Sequence, residues 1–196
     1  IIYVIKMFLN CVNLKKIIFP PFFNVGLNAR EMFKGCIKLE DVNITAIIST
    51  EIEDIESMFE DCKSLRVISF SNDFLTGEIK SLNNVFKNTN LTTLDISFLR
   101  LYSLQTFSNV FSGASIKGIL KLRKYYSNNE TRDNFFKEIS RVTDKSTAVY
   151  VPRGVLLYLI FQNIYYSIQN INITVTEIDI DYNINYGNNY FPEKVF

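Results

Sequence analysis

A Met-Phe-x-x-Cys pentad recurs down this chain at nearly constant distance. It stands at Met7-Phe8-Leu9-Asn10-Cys11, Met32-Phe33-Lys34-Gly35-Cys36 and Met58-Phe59-Glu60-Asp61-Cys62, with starts 25 and 26 residues apart. These three copies hold every methionine and every cysteine of the chain. Two degenerate copies follow, Val85-Phe86-Lys87-Asn88-Thr89 and Val110-Phe111-Ser112-Gly113-Ala114, after steps of 27 and 25. A fixed period in this range predicts a solenoid, in which one supersecondary unit stacks on the next. It constrains the architecture and leaves the ligand open, because a solenoid is a surface on which many functions can be placed.

After each pentad comes Leu-x-x-apolar-x-apolar: Leu14, Ile17, Phe19; Leu39, Val42, Ile44; Leu65, Ile68, Phe70; Leu91, Leu94, Ile96. The last two positions alternate with Lys16, Ile18, Asp41, Asn43, Val67, Ser69, Thr93 and Asp95. Period-two alternation over a short run predicts a strand with one buried face. The strands are expected to end at Pro20, Thr45, Ser71 and Ser97. Ahead of each pentad, apolar residues recur every third position: Ile52-Ile55-Met58, Ile79-Leu82-Val85 and Leu104-Phe107-Val110. That spacing fits a tight helical or 3₁₀-like turn burying one edge. The expected class is therefore α/β, with a parallel sheet on one face, short helical turns on the other, and a terminal cap. Ile1, Val4 and Met7 continue the spacing, so the chain is expected to open inside a repeat of a longer array.

The pentads with their Leu-x-x-Leu-x-Leu continuation resemble the BspA-like leucine-rich repeat proteins, a family of bacterial, protist and phage-encoded surface repeats. The resemblance covers residues 1–124. It reappears at Ala148-Val149-Tyr150-Val151-Pro152, followed by Leu157 and Tyr158. It departs in the fourth and fifth copies, which lack the cysteine, and at Lys121, which breaks the fifth strand pattern. The resemblance implies a non-enzymatic recognition or adhesion module on a cell surface or in secreted form, binding a protein or glycan. A structural spacer within a larger surface or virion protein is the alternative. The exposed strand positions Lys16, Ile18, Asp41, Asn43, Val67, Ser69, Thr93 and Asp95 are the candidate binding residues.

Residues 1–152 are expected to form about five to six coils, and 153–196 a cap of helix, strand and tail. Pro152 suits the first turn of a helix, with Val155, Leu156, Leu159, Ile160 and Ile164 at helical spacing. Ile171-Asn172-Ile173-Thr174-Val175 alternates as a strand. Such a unit covers the open apolar edge of a repeat array.

With 196 residues and 47% apolar content, the chain can bury one continuous core. The balance of 21 basic against 20 acidic residues gives no electrostatic footprint for nucleic acid or a membrane surface. The longest apolar stretch, Gly154 to Phe161, is too short to span a bilayer.

The chain has no histidine, which removes Ser-His-Asp and Cys-His nucleophile activation, and no enzymatic role or cofactor is expected. Cys11, Cys36 and Cys62 share one repeat slot and are expected to stack as a ladder of buried free thiols. With no Cys-x-x-Cys spacing they do not read as a zinc site. The acidic run Glu51, Glu53, Asp54 and Glu56 reads as a solvated face, and Glu60 as an exposed neighbour of a buried Phe59. Glu177, Asp179 and Asp181 form a row of oxygens of the kind Ca²⁺ prefers, but they read first as a polar strand face, and no metal site is expected. Four Asn-x-Thr sequons stand at Asn43, Asn90, Asn129 and Asn172 and carry no weight on sequence alone.

Overall fold

The computed structural model describes residues 4–21, 23–24, 26, 28–45, 47–48, 52–70, 79–96, 103–121, 148–152 and 174–178. Nine strands run through them: β1 (Lys16–Ile17), β2 (Phe23–Asn24), β3 (Asp41–Ile44), β4 (Ile47–Ile48), β5 (Val67–Phe70), β6 (Asn90–Asp95), β7 (Ser115–Lys121), β8 (Ala148–Pro152) and β9 (Thr174–Ile178). Seven form one sheet in the order β1-β3-β5-β6-β7-β8-β9, and β2 pairs with β4 in a separate two-stranded sheet. Every pairing is parallel. Register follows the sequence period, so that Lys16, Asp41, Val67, Thr93, Ile119, Ala148 and Thr174 form one row across the sheet.

Opposite this sheet, the pentads solve the problem of burying a turn without leaving backbone polar groups unmade. Alternate amides point along the stack. In the second repeat the N–H groups of Glu31, Phe33 and Gly35 donate to the carbonyls of Glu56, Met58 and Glu60, one repeat on, at 3.0, 3.0 and 2.8 Å. The amides between them, of Met32, Lys34 and Cys36, donate to Ala29, Glu31 and Phe33 of their own repeat at 3.1 to 3.2 Å. The same alternation runs from Lys6 to Asn10 and from Ser57 to Asp61.

Two turns per pentad, Ala29–Met32 and Phe33–Cys36 in the second repeat, carry a left-handed residue in third place, as a type II turn requires. Those slots are Lys6, Glu31, Ser57, Asn84 and Asn109, and Asn10, Gly35, Asp61, Asn88 and Gly113, all with φ between 53° and 75°. The second slot holds only Asn, Asp and Gly, the residues that tolerate this region most readily.

No helix occurs among the described residues, so the expected helical turns are corrected to these linked turns. The three-residue spacing arises because each turn closes over three residues and every second amide is committed to the next repeat. A further row of parallel bridges, Asn28 to Asp54 to Ser81 to Thr106, leads into the pentads.

Between the sheet and the turns lies a continuous apolar core. Met32, Phe33, Cys36, Leu39, Val42 and Ile44 are buried, as are Met58, Phe59, Cys62, Leu65 and Ile68. The pentad phenylalanines stack ring on ring. Centroids are 5.4 Å apart for Phe8 and Phe33, 5.5 Å for Phe33 and Phe59, 6.1 Å for Phe59 and Phe86, and 5.6 Å for Phe86 and Phe111, with planes within 12° of parallel. Phe19 meets Phe8 and Phe33 edge-on. Phe8 itself is only half-buried.

Lys121 interrupts the sequence pattern but not the strand. β7 runs through it, and Lys121 pairs with Asp95. An irregularity between Leu91 and Thr93 absorbs one extra residue of β7 before the register reaches Lys121. Gly118 permits this, because a Cβ there would stand 2.2 Å from the Thr92 carbonyl oxygen. Strand β9 extends the same sheet beyond β8. The helix expected after Pro152 and the terminal tail lie outside the described residues.

The Phe stack gives a direct test of register. Phe59→Ala removes a ring stacked on both faces and should cost about 3–5 kcal/mol through lost burial and the cavity left behind. Lys63→Ala, at an exposed position of the same repeat, should change stability by less than about 0.5 kcal/mol. Chemical denaturation of both variants checks this, and equal midpoints would refute the stack.

Candidate functional site

The strand alternation places the candidate binding residues on one surface. Lys16, Asp41, Val67 and Thr93 occupy a single register row, and Asn43 pairs with Ser69 in the next. Lys16, Asp41, Asn43 and Ser69 are exposed, whereas Val67, Thr93 and Asp95 are half-buried. Ile18 is 83% exposed, the most open large apolar side chain among the described residues. Adjacent strands in a sheet are about 4.8 Å apart, so these positions form a continuous ribbon of mixed charge, hydroxyl, amide and apolar groups.

Charges on the turn side behave differently. Arg30 forms a two-pronged pair with Glu56, both contacts at 2.8 Å, and lies within 4.0 Å of Asp54 and 3.5 Å of Glu31. Asn28 Nδ2 donates to Asp54 at 3.2 Å, Lys6 pairs with Glu31 at 3.5 Å, and Lys80 pairs with Glu53. Glu53, Asp54 and Glu56 are thus half-buried partners of neighbouring repeats and not the solvated face expected of them. Glu51 lies outside the described residues.

Glu60 is the largest departure. Expected to be exposed, it is 6% exposed and sits between Lys34 at 2.8 Å and Lys87 at 2.9 Å, one from each adjacent repeat. Burial opposes its charged form, but hydrogen bonds from Lys34, Lys87 and Ser57 outweigh burial and hold the carboxyl below its ordinary value. The hydrogen bond to Glu60 raises the Lys34 ammonium above its own, against the opposing effect of burial. A single side-chain step along the turn, from Phe59 to Glu60, therefore changes partners without changing burial. Nothing in the local spacing marks this, because the lysines come from positions 26 residues before and 27 after.

The cysteines are free. Cys36 and Cys62 are buried, and their thiols donate to the carbonyls of Phe8 at 3.0 Å and Phe33 at 3.1 Å in the preceding repeat. Burial pushes the Cys36 thiol up to about 11 and Cys62 further in the same direction, so both stay protonated and unreactive at neutral pH. Cys11 is exposed, which corrects the expected three-member buried ladder. The contact that covers each buried thiol comes from the repeat before it, and the described residues provide none for Cys11.

Among the described residues no group of His, Cys, Asp or Glu side chains could hold a metal ion, and no helix is long and apolar enough to cross a membrane. Glu177 lies in β9, while Asp179 and Asp181 fall outside the described residues. One shallow, open depression is lined by Lys63, Asn88, Thr89, Asn90, Gly113 and Ser115, with no paired acid and base in it. The chain matches no family model, no curated protein and no solved structure.

Two measurements follow from this chemistry. A maleimide at neutral pH should label Cys11 rapidly and leave Cys36 and Cys62 until the chain is denatured, as peptide mapping would reveal. Labelling of Cys62 at the rate of Cys11 would refute the packing.

For Glu60, a folded pKa below the unfolded value of 4.5 means stability that is present above that value and lost as pH falls through the folded one. Glu60→Gln should therefore be less stable than the parent at pH 7, with the gap narrowing as pH falls below 4.5. Urea midpoints across this range read it, and a gap independent of pH would rule out the paired carboxylate.

Proposed function

We propose that this chain is a leucine-rich-repeat solenoid of the BspA-like kind and acts as a non-enzymatic recognition module, binding a protein or glycan ligand through its exposed strand face. Such a module works at a cell surface or in secreted form. The observation that carries the reading is how the two sides use their charges. On the turn side, Arg30, Glu56, Lys34, Glu60 and Lys87 are paired with neighbouring repeats. On the strand side, Lys16 and Asp41 are exposed and make no ion pair among the described residues. Groups already satisfied internally have little left to give a ligand, whereas exposed polar groups beside an open Ile18 can join an interface that mixes apolar contact with hydrogen bonds. The sequence resemblance to surface adhesion repeats supports the same reading. Extended sheet faces of repeat proteins characteristically serve this purpose.

A structural spacer is the second reading, favoured by the absence of one dominant chemistry along the row from Lys16 through Asp41 and Val67 to Thr93. A protein and glycan array probed with the purified chain separates the two. A ligand found there should be lost on the double charge reversal Lys16→Glu/Asp41→Lys. The thermal midpoint should stay within about 2 °C, because exposed substitutions usually change stability by less than about 0.5 kcal/mol. Retained binding in that variant would exclude this end of the strand face, and no binding at all would favour the spacer.

A further inference from the structure

Strand β3 ends in a local turn at the sequon Asn43-Ile44-Thr45. The Asn43 side-chain oxygen Oδ1 accepts two hydrogen bonds, from the Thr45 backbone N–H at 3.0 Å and from the Thr45 hydroxyl at 2.6 Å. Both residues are exposed, and Ile44 between them is buried and anchors the turn. This is an Asx-turn, formed within three residues and so available to the chain before the sheet assembles. We infer that Asn43 is an acceptor for N-linked glycosylation whenever the chain enters a compartment that holds a lipid-linked oligosaccharide and its transferase.

The chemistry of an amide acceptor favours this geometry. An asparagine amide nitrogen is a poor nucleophile because its lone pair is delocalised into the carbonyl. Two donors on Oδ1 stabilise negative charge there and make an Nδ2 proton easier to remove. In the transfer, Nδ2 gives up one proton to a carboxylate of the transferase and forms a bond to the anomeric carbon of the first sugar. The bond from that carbon to the phosphate oxygen breaks, and the lipid pyrophosphate leaves with the electron pair. Only Oδ1 is tied into the turn.

The sequon Asn90-Leu91-Thr92 supplies an internal contrast. It lies wholly within β6, where the Thr92 N–H and hydroxyl both turn to the Arg66 carbonyl, at 2.8 and 3.1 Å. In extended backbone, residues two apart are held about 6.6 Å from one another along the strand. Its hydroxyl is therefore directed to the neighbouring strand and not to its own asparagine. Asn43 and Asp41 share one face of β3, so the glycosylated and bare chains would present different strand faces to a ligand.

The test is translation of the full chain, behind a cleavable secretion signal, into microsomes, with a gel shift reversed by a peptide-N-glycosidase. Site mapping uses the Asn-to-Asp conversion that the glycosidase leaves. Occupancy is expected at Asn43 and at least several-fold lower at Asn90, with Thr45→Ala abolishing the Asn43 signal and Thr45→Ser preserving part of it. Thr92→Ala should leave Asn43 occupancy unchanged. Absence of sugar on Asn43, or equal occupancy at Asn90, overturns the assignment. Because the sugar is read directly, the outcome is independent of whether the strand face binds any ligand.

Discussion

The alternation of backbone amides on the pentad turns is the constraint on which the rest of the structure depends. A buried N–H or C=O without a partner costs about 1–3 kcal/mol, so a turn can be packed inside only if each group is answered. Here one amide in two closes its own turn and the next reaches the following repeat. That geometry requires left-handed residues at fixed intervals, which is why Asn10, Gly35, Asp61, Asn88 and Gly113 recur in one slot. It also spaces the repeats so that the phenylalanine rings between them meet face to face. The Phe stack is thus a consequence of the hydrogen-bond ladder as much as a cause of stability.

What could be read from the sequence divides along the same line. Positions that face inward repeat in apolar character, so Met32, Phe33, Leu39, Val42, Met58, Phe59 and Leu65 were legible as core from spacing alone. The parallel strand rows followed for the same reason. Glu60 was not legible, because its burial depends on Lys34 and Lys87, which one repeat in isolation does not contain. Gly118 stands against the neighbouring Thr92 carbonyl, a contact between strands that leaves no pattern along one strand. The pair β2 and β4 escaped notice because two-residue strands carry too few positions to alternate. Of the candidate site, the row order was legible, but the half-burial of Val67 and Thr93 was set by their neighbours across the sheet.

The charge pattern explains how a chain with nearly balanced acids and bases can hold its repeats in register. Surface ion pairs contribute little singly, about 0–1 kcal/mol, and less in salt. Lys6 with Glu31, Arg30 with Glu56 and Lys80 with Glu53 are of that kind, and their value lies more in specificity than in strength. A slip by one repeat would set different charges against each other. Apolar slots do not provide this discrimination, since Phe stacks on Phe in any register. The buried Glu60 makes the restriction sharper, because a carboxylate left in that position without Lys34 or Lys87 would be charged and unpaired.

The degenerate fourth copy shows which features of the pentad the fold requires. Thr89 stands where the earlier copies have cysteine and is 2% exposed, so it must satisfy a hydroxyl that a thiol would have left nearly apolar. It does so by donating to the Phe86 carbonyl of its own repeat at 2.7 Å, whereas Cys36 and Cys62 donate to the repeat before. The link between repeats through that side chain is lost. The backbone links from Asn84, Phe86 and Asn88 remain, and Phe86 still stacks on Phe59 and Phe111. Threonine therefore stands in for cysteine by settling its own hydrogen bond, and valine replaces methionine at Val85 and Val110 with burial intact. Phenylalanine is kept in all five copies, where the rings of Phe33, Phe59 and Phe86 each stack on the ring before and the ring after.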